Sequence, residues 1–141
     1  MNEKAAARTI ARDCLALRIR KLNRMVTAVY DDALRPLGMT ASQLNMLTAI
    51  VRAGASQLTP AELSRLLEIE KSTLSRNLPR MEAHGWIDAS GDRVRLTAKG
   101  DRLLRELAPA WRRAQRETRK LLGEDGAEAV VAMVERVRGR G

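Results

Sequence analysis

The chain has 141 residues, enough for one domain-sized unit with a core of its own. Its 26 Lys and Arg outnumber 17 Asp and Glu, for a net charge of +9 and a pI near 10.9. Such a surface attracts polyanions, either nucleic acid or an acidic membrane. Trp86, Trp111 and Tyr30 are its only aromatic rings apart from His84, and there is no Phe, which argues against binders of RNA or single strands that stack bases on aromatic platforms.

The same inventory removes most chemistry. Cys14 is the only cysteine and His84 the only histidine, so no intrachain disulfide is expected, and a zinc site would need carboxylates almost throughout. There is no Gly-rich phosphate loop, and Glu62, Glu68 and Glu70 read as capping and helix-start residues. No enzyme, cofactor or metal is therefore expected. No apolar run approaches membrane-spanning length. The first 20 residues lack a continuous apolar segment and contain Asp13, unlike a secretory signal. The expected location is a reduced cytoplasm.

From about Arg8 to Leu34 there is neither Gly nor Pro. Leu15, Ile19, Leu22, Val26, Val29 and Ala33 recur at alternating spacings of four and three, predicting one long amphipathic helix. "RPLG" at Arg35–Gly38 stops it. Thr40 and Gln43 then form a capping-box pattern ahead of the apolar stripe Leu44, Leu47, Ile50 and Val51.

The stretch "LTPAELSRLLEIEKSTLSRNLPRMEAHG" carries the strongest local signals. Thr59 caps, Pro60 sits at the first helical position and Glu62 completes a box. "EIE" turns the chain, and a second short helix follows with Leu74, Leu78 and Met81 facing inward. This is a helix-turn-helix pattern. Pro79 lies inside the second helix, where its missing N–H places a bend between Ser75 and Met81. Next, Trp86–Ala89 and Arg93–Leu96 read as strands joined by Ser90, Gly91 and Asp92, a hairpin that serves as a wing. Thr97 caps a helix predicted to run to about Leu122. After "LGEDG", a last helix carries Ala127, Val130, Val131, Val134 and Val137 towards a frayed "RGRG" tail.

The expected fold is mainly α with a small β-hairpin wing: a winged helix-turn-helix flanked by dimerisation helices. Residues 1–36 form the N-terminal dimerisation helix, 37–98 the DNA-binding region and 99–141 the C-terminal dimerisation helices. Within the middle segment the recognition helix spans about 70–84 and the wing about 86–97.

A recognition helix packs one face on its partner and turns the other, N-terminal residues first, to base edges. Here Ser72, Ser75, Arg76 and Pro79 oppose the apolar face, and Lys71 and Thr73 lie at the helix start. Arg76 is suited to a bidentate contact with guanine. Arg93 and Arg95 share one strand face; each reads either as a minor-groove contact or as part of a solvated face. The terminal apolar stripes are too extensive for a winged helix to cover. They imply either a homodimer with intertwined termini, presenting two recognition helices to an inverted repeat, or an intrachain bundle. Arg112, Arg113, Arg116, Arg119 and Lys120 read as a solvated face with long-range attraction for DNA.

The runs "VTAVYDDALRPLGMTASQLNML", "LTPAELSRLLEIEKSTLSRNLPRMEAHGWI" and "DRVRLTAKG" closely resemble the MarR family of bacterial transcription regulators, in order and over nearly the whole chain. The resemblance implies an obligate homodimer that binds inverted repeats in promoter DNA, most often as a repressor. It also implies release by a small phenolic or lipophilic effector or, in other members, by cysteine oxidation. Ser72, Thr73, Ser75 and Arg76 fall where the family reads the major groove, and Arg93 falls near its wing arginine. The wing is shorter than the family's usual one, and Pro79 is a further departure. Cys14 falls about two residues before the position of the family's sensor cysteine and lacks neighbouring aromatics. Cys14, Tyr30 and Trp111 are the residues to inspect for an effector or redox site. The alternatives are a Cys14-based redox regulator and a non-specific architectural DNA-binding protein.

Overall fold

The computed structural model describes residues 1–139. It is mainly helical: α1 (Glu3–Asp13), α2 (Leu15–Leu34), α3 (Ala41–Ala53), α4 (Pro60–Leu67), α5 (Lys71–Ala83), α6 (Ala98–Glu106), α7 (Ala108–Leu122) and α8 (Glu124–Arg138). A two-stranded antiparallel sheet, β1 (Ile87–Asp88) with β2 (Arg95–Leu96), lies between α5 and α6. The fold is a winged helix-turn-helix with additional terminal helices. The chain divides into two compact units. One is Ala33–Arg113; the other joins Met1–Asp32 to Ala114–Gly141, of which 140 and 141, the end of the expected tail, lie outside the described residues.

The Ala33–Arg113 unit owes its shape to its caps and one continuous core. Thr40 and Gln43 form a reciprocal capping box on α3, and Thr59 and Glu62 form another on α4, with Pro60 at its start. The turn between α4 and α5 places Glu68 in the left-handed region, with φ 53°. The buried Ser64 holds that turn: its hydroxyl donates to the Ile69 carbonyl at 2.8 Å, and the Ile69 N–H donates to the Ser64 carbonyl at 3.1 Å. Leu47, Leu63, Leu74, Met81, Trp86 and Val94 belong to the common core, so α3, α4, α5 and the sheet share one interior.

Three expectations about elements need correction. The first helix starts at Glu3, capped by Asn2, and it is not continuous to Leu34. Cys14 is extended, with ψ 113°, and separates α1 from α2. Arg18 donates a side-chain N–H to the Arg12 carbonyl, satisfying an acceptor that the break removes from the helical ladder. The predicted helix from Thr97 to Leu122 is also interrupted, at Leu107. Pro109 has no N–H for the Arg105 carbonyl, which favours a break at this point. Finally, the strands of the wing are two residues each, paired Ile87 with Leu96 and Asp88 with Arg95. An isolated bridge between Leu58 and Val94 adds a third segment to the hairpin's root. Along α5 the helical assignment is unbroken through Pro79.

In the other unit, the apolar stripes of α2 and α8 are covered only in part: Val26, Val29, Ala127 and Val130 are half-buried. Leu15, Ile19 and Met25 on α2, and Val131, Val134 and Val137 on α8, are exposed. Tyr30 donates its hydroxyl to the Gln115 side chain. No helix of the described chain is long and apolar enough to cross a membrane.

Candidate nucleic-acid interface

α5 begins at Lys71 with Glu70 as its N-cap residue, whose side chain makes no capping bond. Its inward face is Leu74, Leu78 and Met81, all buried. The 3.6-residue period then sends Ser72, Ser75 and Arg76 outward, and these three are exposed, as is Lys71 at the helix start. Among the described residues, none of the four makes a side-chain hydrogen bond or ion pair; their donors are uncommitted. Thr73 differs, being half-buried. Its carbonyl accepts from Asn77 Nδ2 at 2.9 Å, and Asn77 Oδ1 in turn accepts from the buried Gln43 at 3.4 Å. Gln43 is also the capping-box residue of α3. One side chain thus serves the start of α3 and the flank of α5. Neither Asn77 nor Ser64 was among the expected site residues. Their signal in the sequence is weak: small polar residues on otherwise apolar helix faces.

The wing is held at both ends. Ala89 N–H donates to Glu82 of α5 at 3.0 Å. The Asp88 carboxylate accepts from the Ser90 hydroxyl at 2.6 Å, the Ser90 N–H at 2.9 Å and the Arg95 guanidinium at 2.7 Å. Ser90, and then Arg95, hold the Asp88 carboxyl down to about 2. Because this folded value lies below the ordinary aspartate range, the contribution is present at neutral pH and is lost as pH falls through about 2. The Ser90 amide resonance should therefore stay constant from neutrality to about pH 4 and move only in stronger acid, whereas Asp88→Asn should remove that acid transition.

Arg95 is thus paired, and Arg93, although exposed, is paired within the chain as well. Arg93 Nη1 donates to the Gln57 and Ser56 carbonyls at 3.1 and 3.3 Å and lies 3.7 Å from the Glu62 carboxylate. At the wing's far side, His84 stacks on Trp86 with ring centres 4.2 Å apart. Thr97 closes the hairpin: its hydroxyl donates to the Gly85 carbonyl at 2.5 Å and accepts from Gly100 N–H at 3.1 Å, while its N–H donates to Trp86 O at 3.1 Å. This accounts for the "LTAKG" motif, since Gly100 packs directly on the Trp86 carbonyl.

Cys14 is half-buried at the α1–α2 break, Tyr30 is bonded to Gln115, and Trp111 is 41% exposed. Two open cavities of about 270 and 260 Å³ lie elsewhere. One is lined by residues including Ile50, Val94 and Arg95, the other by Asn23, Arg24, Thr27, Ala28 and Asp31. None of Cys14, Tyr30 and Trp111 lines either of these two.

This geometry is that of winged-helix transcriptional regulators, and comparison with known proteins agrees. Residues 37–94 match the MarR family profile. The multiple antibiotic resistance protein MarR of Salmonella typhimurium is 34% identical over 86 residues, 56% of this chain and 58% of that protein. The match thus spans well under two thirds of that relative's length. The crystal structure of the M. tuberculosis transcriptional regulator MosR superposes with a TM-score of 0.76 at 31% identity, covering 92% of this chain and 98% of MosR. MosR in complex with DNA gives 0.73 at 31% identity, covering 90% and 99%. The chain belongs to the MarR family.

Proposed function

We propose that this chain is a sequence-specific, DNA-binding transcriptional regulator. In this reading it acts in the cytoplasm as a homodimer on an inverted repeat in promoter DNA, as a repressor that a small lipophilic or phenolic effector releases. The observation that carries the reading is the front half of α5. There, four polar or cationic side chains stand exposed without partners on a helix whose other face is locked into the core. Lys71, Ser72, Ser75 and Arg76 meet the DNA, with Thr73 beside them. Uncommitted donors at a helix start, on a chain of net charge +9, suit base edges and phosphates together. Support for the dimer comes from the partly uncovered stripes of α2 and α8, and support for DNA as the ligand from the DNA complex of MosR.

Roles divide within α5, and equilibrium binding to a duplex selected from random DNA separates them. Arg76→Ala should lose about 1–3 kcal/mol of discrimination at one base pair, seen as a flattened response to substitutions at that pair. Lys71→Ala should weaken all duplexes alike and lower the salt slope by about one. Equal loss on every sequence in both variants would instead indicate an architectural, non-specific binder.

A further inference from the structure

Seven residues from three stretches of the Ala33–Arg113 unit, 56–59, Glu62 of α4 and 93–94, converge at the root of the wing. Arg93 Nη1 donates to the carbonyls of Gln57 (3.1 Å) and Ser56 (3.3 Å). Its guanidinium also faces Glu62 Oε2 at 3.7 Å. That same carboxylate oxygen accepts the Thr59 N–H at 3.2 Å in the capping box of α4. Next to Arg93, the buried Val94 donates its N–H to the Leu58 carbonyl at 2.8 Å. Gln57 holds a φ of 47°, a conformation costly for a residue with a Cβ, and in it the Gln57 carbonyl meets the arginine. We propose that Arg93 is a positioning residue: it fastens the wing's root to the start of α4, so that α4, α5 and the wing meet DNA as one body, and it does not itself enter a groove. The inference rests on the DNA-binding reading above.

Three features favour this role over a DNA contact. Nη1 of the guanidinium donates to fixed carbonyls on a neighbouring segment. Glu62 offsets its charge, which weakens its attraction for phosphate. All three contacts run through Nη1, whose N–H directions are fixed by the planar guanidinium, a constraint that lysine, a point charge on a flexible stem, lacks.

The test uses the full chain, a duplex selected from random DNA, and the variants Arg93→Ala, Arg93→Lys and Glu62→Gln, each at a temperature where circular dichroism shows it folded. Both Arg93 variants should bind the selected duplex about tenfold more weakly, with a slope of log K against log salt equal to that of the unaltered chain. The Val94 amide of the DNA-free protein should exchange faster in Arg93→Ala and in Glu62→Gln. A purely structural contribution would lower the melting temperature while leaving the affinity of the folded protein unchanged, and that result overturns the proposal. So does a slope reduced by about one in Arg93→Ala, or an Arg93→Lys variant that binds like the unaltered chain. If the unaltered chain selects no sequence, the functional reading itself fails and this inference falls with it. Selective binding by the unaltered chain together with a reduced slope in Arg93→Ala removes this inference alone.

Discussion

Gly100→Ala should destabilise the Ala33–Arg113 unit, with a lower urea midpoint and an unchanged m value. Gly100 is in the first turn of α6, where alanine would ordinarily help by about 0.5–1 kcal/mol. Here an added Cβ would lie 2.2 Å from the Trp86 carbonyl oxygen and 2.8 Å from a Leu96 methyl. Leucine can turn aside, but the carbonyl cannot. It accepts the Thr97 N–H at 3.1 Å, next to the residue that begins the pairing of Ile87 with Leu96. Moving it pulls the wing's root apart and strains the Thr97 cap. Overpacking of this kind costs about 1–3 kcal/mol and occasionally more, which outweighs the helical gain. Gly91→Ala is the matched control: nothing lies within 4 Å of its added Cβ, so its midpoint should hold. Equal stability of the two variants would refute the close-packing account of the "LTAKG" motif.

Ile19→Glu combined with Val134→Glu should turn the proposed dimer into monomers and weaken operator binding by about two to four orders of magnitude. Ile19 is 67% exposed and Val134 49% exposed in the single chain. Leu15 on the same face of α2, and Val131 and Val137 on α8, are exposed as well. Soluble monomers rarely leave such contiguous apolar surface open to water. A second copy of the chain is the occupant the functional reading supplies. A glutamate on each stripe is tolerated in the monomer, where the site is already wet, and is costly only when a partner would desolvate it. The Ala33–Arg113 unit should therefore keep its fold and bind half-sites like the unaltered unit, while cooperation between half-sites is lost. Light scattering at the concentrations used for DNA binding checks the assembly. A monomeric unaltered chain that still binds a full operator tightly would overturn the homodimer.

Much of this was legible in the sequence because local rules and tertiary packing agree. Both capping boxes form where the Thr and Gln or Glu spacing put them. The inward stripe of α5 is Leu74, Leu78 and Met81, as periodicity requires. What escaped depended on contacts without a local pattern. No Gly or Pro marks the break at Cys14; it is accompanied by Arg18 reaching back to a carbonyl six residues earlier. Pro109, two residues past the interruption at Leu107, is a local signal for it that the expected helix from Thr97 to Leu122 left out. The bridge from Leu58 to Val94 joins segments 36 residues apart and leaves no alternation to read. The arginines of the wing show the same limit. Two positions apart on a strand, Arg93 and Arg95 read as a pair, yet one meets Gln57 and Ser56 and the other meets Asp88.

The exposed front of α5 is proposed to read base sequence, twice, in a symmetric assembly. Selection of bound duplexes from a random DNA pool at physiological salt tests it most directly. The expected result is a consensus with two inverted half-sites about one helical turn apart, protected as a single footprint. Enrichment of no sequence, with uniform binding that simply weakens as salt rises, would contradict it.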